Sequence, residues 1–203
     1  MEIYSTEEQQ EEAIKQFLKD NGVSLVIGAI VGLGGIWGWN YYQEAELNTI
    51  AQNSIEFAKV EKADNVVAQG ESFVAAHGDT QYGQLAQLLM VKSLVESKDY
   101  DKAITILKDV IASDVDSSVK SVATVRLARI ELATGKTDAA LATLNTIADK
   151  AFTTIKNELS GDAYIAKGEL EQARAAYQAA LDAAGEQVSS DLRMKFDDLT
   201  PAV

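Results

Sequence analysis

The stretch GDAYIAKGELEQARAAYQAA, residues 161–180, sets small residues at Gly161, Gly168, Ala173 and Ala180 and rings at Tyr164 and Tyr177. Gly168 divides it into two segments of helical periodicity, so it reads as two antiparallel helices joined by a tight turn. Small residues at the crossing let the two backbones approach, and the large side chains fill the seam. Towards the N-terminus the same pattern returns twice. Lys98-Asp99-Tyr100-Asp101-Lys102-Ala103 and Gly135-Lys136-Thr137-Asp138-Ala139-Ala140 align with Gly168-Glu169-Leu170-Glu171-Gln172-Ala173, the closing alanines lying 37 and 33 residues apart. Four residues after each alanine stand Leu107, Leu144 and Tyr177, and three further on Val110, Ile147 and Ala180. Twelve residues before each stand Val91, Ala128 and Gly161.

Those spacings bracket the roughly 34-residue period of tetratricopeptide repeats. The Trp usual early in the first helix is absent, as is the closing Pro, so the repeats are degenerate. An ordinary helical bundle with Ala-rich seams is the competing reading, which a register shared by three units disfavours. Stacked hairpins leave an apolar end face that needs covering. Residues 44–80 are therefore expected to form a divergent first hairpin, and Ser189 to Leu199 a terminal capping helix. The fold class is all-α: an N-terminal transmembrane helix followed by an α-solenoid of tetratricopeptide-like helical hairpins.

Such hairpins usually bind partners on the concave surface lined by their first helices. In this register that surface comprises Leu85, Leu88, Lys92, Val95, Val122, Val125, Arg129, Leu132, Ile155, Glu158, Asp162 and Ile165. It is mostly apolar with interspersed charges. One reading is a groove for a helix or extended segment of another protein. The other is that tight curvature buries these residues within the domain itself. Sequence leaves both open.

The transmembrane assignment rests on residues 21–43. Between Asp20 and Glu44 there is no Asp, Glu, Lys, Arg or His. As a helix this run reaches about 35 Å, against a hydrocarbon core of about 30 Å. Val23, Leu25, Val26, Ile27, Ile30, Val31, Leu33 and Ile36 form its body. Trp37, Trp39, Tyr41 and Tyr42 gather at its end like an interfacial aromatic belt. A cleaved signal peptide fits less well, because residues 1–20 carry six acids against Lys15 and Lys19, and no small-x-small exit follows. A nucleotide-binding glycine loop fails too, since Trp37 stands where G-x-G-x-x-G needs glycine. Lys15 and Lys19 precede the span, whereas the first base after it is Lys59, which favours a cytoplasmic N-terminus. The expected organisation is a cytoplasmic segment 1–20, a transmembrane helix 21–43 in contact with lipid, and a repeat domain 44–203 across the membrane, which is periplasmic if the cell is a Gram-negative bacterium.

Gly28 and Gly32, and Gly34 and Gly38, each share a helix face and would let another transmembrane helix approach closely. General tolerance of Gly in membrane helices is the alternative. Upstream, Ser5-x-x-Glu8 reads as a capping box opening a short helix, and Asn21-Gly22 as a break after it.

Composition removes several functions. With 18 basic and 31 acidic side chains the net charge is -13, which disfavours nucleic acid or anionic headgroups as partners. The absence of Cys removes disulfides, thiol nucleophiles and zinc-thiolate sites. His77 is the single His and, followed by Gly78, reads as a helix end without a fixed partner, a poor general base. Asp99 with Asp101, and Asp197 with Asp198, fall at expected helix ends. No P-loop, calcium loop, nucleophile elbow or His-x-x-x-His spacing appears. No catalytic, cofactor-binding or metal residues are expected, and the chain reads as a non-enzyme.

Local wording adds a resemblance. Met1-Glu2-Ile3-Tyr4, Ala13-Ile14-Lys15-Gln16-Phe17-Leu18-Lys19-Asp20-Asn21-Gly22, the Gly-rich span ending Gly38-Trp39-Asn40-Tyr41-Tyr42, and Arg126-Leu127-Ala128-Arg129 together resemble the ancillary SecYEG translocon subunit family. The resemblance covers essentially the whole chain. It implies an inner-membrane protein of Gram-negative bacteria whose periplasmic domain associates with the SecYEG translocon and with a membrane-anchored periplasmic chaperone of the PpiD type. It brings no catalytic residues. Rival roles for the same architecture are a scaffold in cell-envelope or outer-membrane assembly, and a holdase binding unfolded chains directly.

Overall fold

The computed structural model describes residues 7–199, and among these it is all-helical. Helix α1 runs Glu7–Glu61, followed by α2 (Val66–His77), α3 (Gln81–Glu96), α4 (Tyr100–Ala112), α5 (Ser117–Ala133) and α6 (Thr137–Asn145). A short 3₁₀ turn, Lys150–Phe152, leads into α7 (Thr153–Lys167), α8 (Leu170–Ala184) and α9 (Ser190–Asp197). The chain divides into two compact units, residues 1–53 and 54–203.

In the first unit the apolar run of α1 is long and apolar enough to cross a membrane, with a mean hydropathy of 1.7 and none of it buried. Trp37 stacks with Tyr41, and Trp39 leans on Tyr42. The break expected at Asn21-Gly22 does not occur. The helix passes through both residues, and Asn21 Nδ2 donates to the Phe17 carbonyl one turn back at 3.1 Å. Apolar neighbours on both sides favour continued helix over the roughly 1 kcal/mol that a single Gly costs. The capping box at Ser5 lies outside the described residues.

The second unit repeats one turn three times. Lys98, Gly135 and Gly168 occupy the same register, five residues before the alanines, and all three are left-handed, with φ of 62°, 75° and 75°. Each closes its helix by the same pair of bonds. Lys98 N donates to Val95 O and Asp99 N to Leu94 O; Gly135 N to Leu132 O and Lys136 N to Glu131 O; Gly168 N to Ile165 O and Glu169 N to Tyr164 O. This is the Schellman arrangement, in which a left-handed residue satisfies the last free carbonyls. Gly takes it without strain, whereas Lys98 holds it against the preference of its Cβ.

The register alanines lie where the helices cross: Ala103, Ala140 and Ala173 are fully buried. Leu107 packs with Leu88, Val91, Leu94, Val110, Ala123, Leu127 and Ile130 in a core shared by α3, α4 and α5. Leu144 does the same with Val125, Ala128, Ile147 and Leu159 between α5, α6 and α7. A third core, Tyr177 with Ala180 and Leu192, lies under α9, so the terminal helix covers the end as expected. Gly161 is required by contact, since a Cβ there would enter the ring of Tyr177. Glu131 occupies the register position of Leu94 and Tyr164, and its Oε2 is buried with no hydrogen-bond partner.

The start of this unit differs in detail from expectation. The first hairpin pairs the last turns of α1 with α2, around Val60, Phe57 and Phe73. α2 does end at His77, but Gly78 is right-handed (φ -56°), not a left-handed cap. His77 is not without a partner: its Nε2 lies 3.0 Å from Glu56 Oε2, across the α1–α2 seam and against the Phe73 ring.

Candidate partner-binding face

The first helices α3, α5 and α7 carry the twelve residues predicted for a groove, and the fold sorts them. Leu88 and Val125 are buried in the first and second cores. Val122 packs against the first core, and Leu132 and Ile155 against the second. Leu85 is 48% exposed and, with Leu88, lines an open cavity of about 470 Å³ beside Gln81, Asp114 and Val119. Ile165 is 39% exposed.

Lys92, Val95 and Arg129 come together. With Val91, Glu96, Arg126 and Ile130 they line a cleft of about 330 Å³ between α3 and α5. Helical spacing builds it: Val91 and Val95 are one turn apart on α3, and Arg126 and Arg129 are neighbours on one face of α5. The Arg126 guanidinium donates from Nη1 to the Leu88 carbonyl at 2.7 Å, which plants it across the gap between hairpins. Burial, and secondarily the cation of Arg129, hold Arg126 below the ordinary guanidinium range. Arg126 was absent from the predicted groove. The signal available was its position three residues before Arg129.

Glu158 and Asp162 of α7 meet α9 instead. Lys195 Nζ lies 2.8 Å from Glu158 Oε1 and 3.0 Å from Asp162 Oδ1, and Asp162 also accepts the Tyr177 hydroxyl at 2.7 Å. Burial alone would pull the Lys195 ammonium down, but its hydrogen bonds to Glu158 and Asp162 and their charges outweigh that and raise its pKa. Burial, with the bond to Asp162 next, pushes the Tyr177 phenol well above its usual value.

Both groups hold their protons more tightly folded than unfolded. The stability they contribute is therefore complete below their ordinary values of about 10 and is lost as pH rises through the folded ones. Thermal melts of the full chain in mild detergent are expected to be flat from pH 7 to about pH 9 and to fall steeply above about pH 10. Tyr177→Phe should shallow that fall. An unchanged alkaline limb in the variant would dismiss the phenol as a contributor.

In the first unit, among the described residues, a Cβ added at Gly28, Gly32, Gly34 or Gly38 meets nothing within 4 Å. Among the described residues no group of three or more His, Cys, Asp or Glu side chains is placed to hold a metal ion.

The tetratricopeptide repeat-like domain family matches residues 15–201. A protein of Escherichia coli (strain K12) named "Ancillary SecYEG translocon subunit" is 33% identical over 98% of this chain and 100% of its own length. Proteins of the same name from Aggregatibacter actinomycetemcomitans (32% identical, 97% of this chain, 99% of theirs) and Haemophilus influenzae (30%, 97% and 99%) align equally fully. Among solved structures, the MamA RS-1 ArsTM double mutant aligns over 75% of this chain and 91% of its own, with a TM-score of 0.47 and 17% identity, too distant to bear on the fold or the site. Full-length similarity, the repeat register and the long apolar first helix agree: the chain belongs to the ancillary SecYEG translocon subunit family, with a tetratricopeptide repeat-like domain.

Proposed function

We propose that this chain is a non-enzymatic subunit accessory to the SecYEG translocon, anchored by residues 21–43 in lipid and binding protein partners through its repeat domain. The observation that carries the reading is end-to-end similarity to relatives that bear the translocon in their name. Lys15 and Lys19 ahead of the span support a cytoplasmic N-terminus, and with it a periplasmic 44–203 in the inner membrane. The open faces at Gly28 and Gly32, and at Gly34 and Gly38, suit close approach of another transmembrane helix. The α3–α5 face, with exposed Lys92 and Arg129 beside half-buried Val95, is the contact surface for a protein partner on the same side of the membrane. A membrane-anchored chaperone of the PpiD type, as the family resemblance implies, is that partner.

Tethering is itself the mechanism. Confining the repeat domain to the membrane raises the effective concentration of chaperone where exported chains emerge, with no chemical step required. Affinity purification of the intact chain from native membranes in mild detergent should recover both the translocon and the chaperone. Recovery of the intact chain without the translocon would remove the reading. Recovery of the translocon alone would remove only the chaperone.

A further inference from the structure

We propose that the α3–α5 cleft is a docking site for an acidic, aliphatic segment of a partner polypeptide, in which a carboxylate sits between Arg126 and Arg129 and an adjacent Leu-like side chain enters the apolar floor. The inference rests on the partner-binding reading above and specifies its chemistry. The chain carries a net charge of -13, so an average patch of its surface is negative. The cleft is the reverse: Lys92, Arg126 and Arg129 face a single acid, Glu96. Glu96 lies 4.0 Å from exposed Lys92 on the same helix, a weak pairing that leaves both arginines unanswered.

Two cations elsewhere in this unit each meet at least two acids: Lys195 has Glu158 and Asp162, and Lys167 has Asp138 and Glu169. Half-buried Lys156 instead donates to the Ile147 carbonyl, and Arg174 lies over the Phe196 ring. Arg126 and Arg129 have no ion pair among the described residues. Arg126 shows one hydrogen bond, to the Leu88 carbonyl, out of the five N–H donors of a guanidinium. That bond fixes the group half-buried beside a like charge, an arrangement that is costly alone and becomes favourable once a carboxylate arrives. Val91, Val95 and Ile130 form the floor, which suits an aliphatic side chain next to that carboxylate. A second copy of this chain is a poor occupant, because two strongly acidic molecules repel.

The test uses the full chain in mild detergent and two fluorescein-labelled peptides with the same leucines, one carrying Glu and the other Lys at the charged positions. Fluorescence anisotropy should show the Glu peptide binding about tenfold or more tightly, with the preference shrinking as salt is added. Arg129→Glu, at an exposed position with no internal bond to lose, should abolish the preference without lowering the thermal melt. Arg126→Lys, which keeps the charge but not the fork, should weaken binding several-fold. Equal affinity for both peptides, or a preference that survives Arg129→Glu, overturns the proposal. Self-association of the wild-type chain that Arg129→Glu removes would also overturn it, by assigning the cleft to a second copy. If the chain still co-purifies with the translocon yet does not distinguish the peptides, only the cleft assignment falls. If neither occurs, both readings fall.

Discussion

Leu107→Ala is expected to lower the unfolding free energy by about 2–5 kcal/mol, the range for a fully enclosed leucine whose site cannot collapse. Leu107 has no solvent exposure and is the point where α3, α4 and α5 share one core. The surrounding atoms belong to three helices held by their own turns, so they cannot move inward together to refill the space. For a domain whose total stability is of order 5–15 kcal/mol, such a loss is a large fraction. In a stack of hairpins each unit contacts mainly its neighbours, so the damage should be local. Urea titration of the full chain in mild detergent, followed by far-ultraviolet circular dichroism, measures the free energy. Hydrogen exchange should show α3–α5 amides losing protection well before those of α8 and α9. A loss below about 1 kcal/mol, or a uniform fall in protection, would contradict a series of separate cores.

Gly83→Ala should be the other severe substitution, at about 3 kcal/mol, the upper end of what overpacking costs. Gly83 lies in the first turn of α3, where a Cβ would strike the carbonyl oxygen of His77 and crowd the Gly78 backbone. Backbone atoms cannot rotate away. The same junction is tied by Gly83 N donating to Thr80 Oγ1 and by Thr80 Oγ1 donating to His77 O, so separating α2 from α3 also breaks those bonds. Gly70→Ala is the control. Its Cβ would meet Met90 Cγ and Sδ, atoms of a flexible side chain rather than of the backbone. The gain of about 1 kcal/mol in helix propensity should then leave Gly70→Ala near neutral. Similar losses from the two alanines, measured by the same titration, would show that the α2–α3 junction yields.

The contrast between these glycines marks the limit of legibility. Gly161 stood out in the sequence because it shares a register with Val91 and Ala128, and the structure places Tyr177 against it. Gly83 belongs to no such register, and its constraint comes from a carbonyl across an interhelical turn. His77 looked unpartnered for the same reason, since Glu56 lies 21 positions earlier. The cleft was half visible. Lys92, Val95 and Arg129 followed from helical spacing; Arg126, three residues before Arg129, shares that face, but the bond that sets its guanidinium in the cleft reaches a carbonyl 38 positions away.

From the sequence alone came the all-helical class, the apolar first helix, the positions of the three hairpin turns and the terminal cap. Each depends on periodicity and on small or left-handed residues at fixed offsets, which are properties of neighbouring positions along one chain. The tertiary structure decided which charges are answered and which are not: Lys195 meets Glu158 and Asp162, while Arg126 and Arg129 share a cleft with only Glu96 close to Lys92. Pairing across helices depends on the angle and offset at which hairpins stack. Those are set by the packing of whole side-chain layers, which no local spacing encodes.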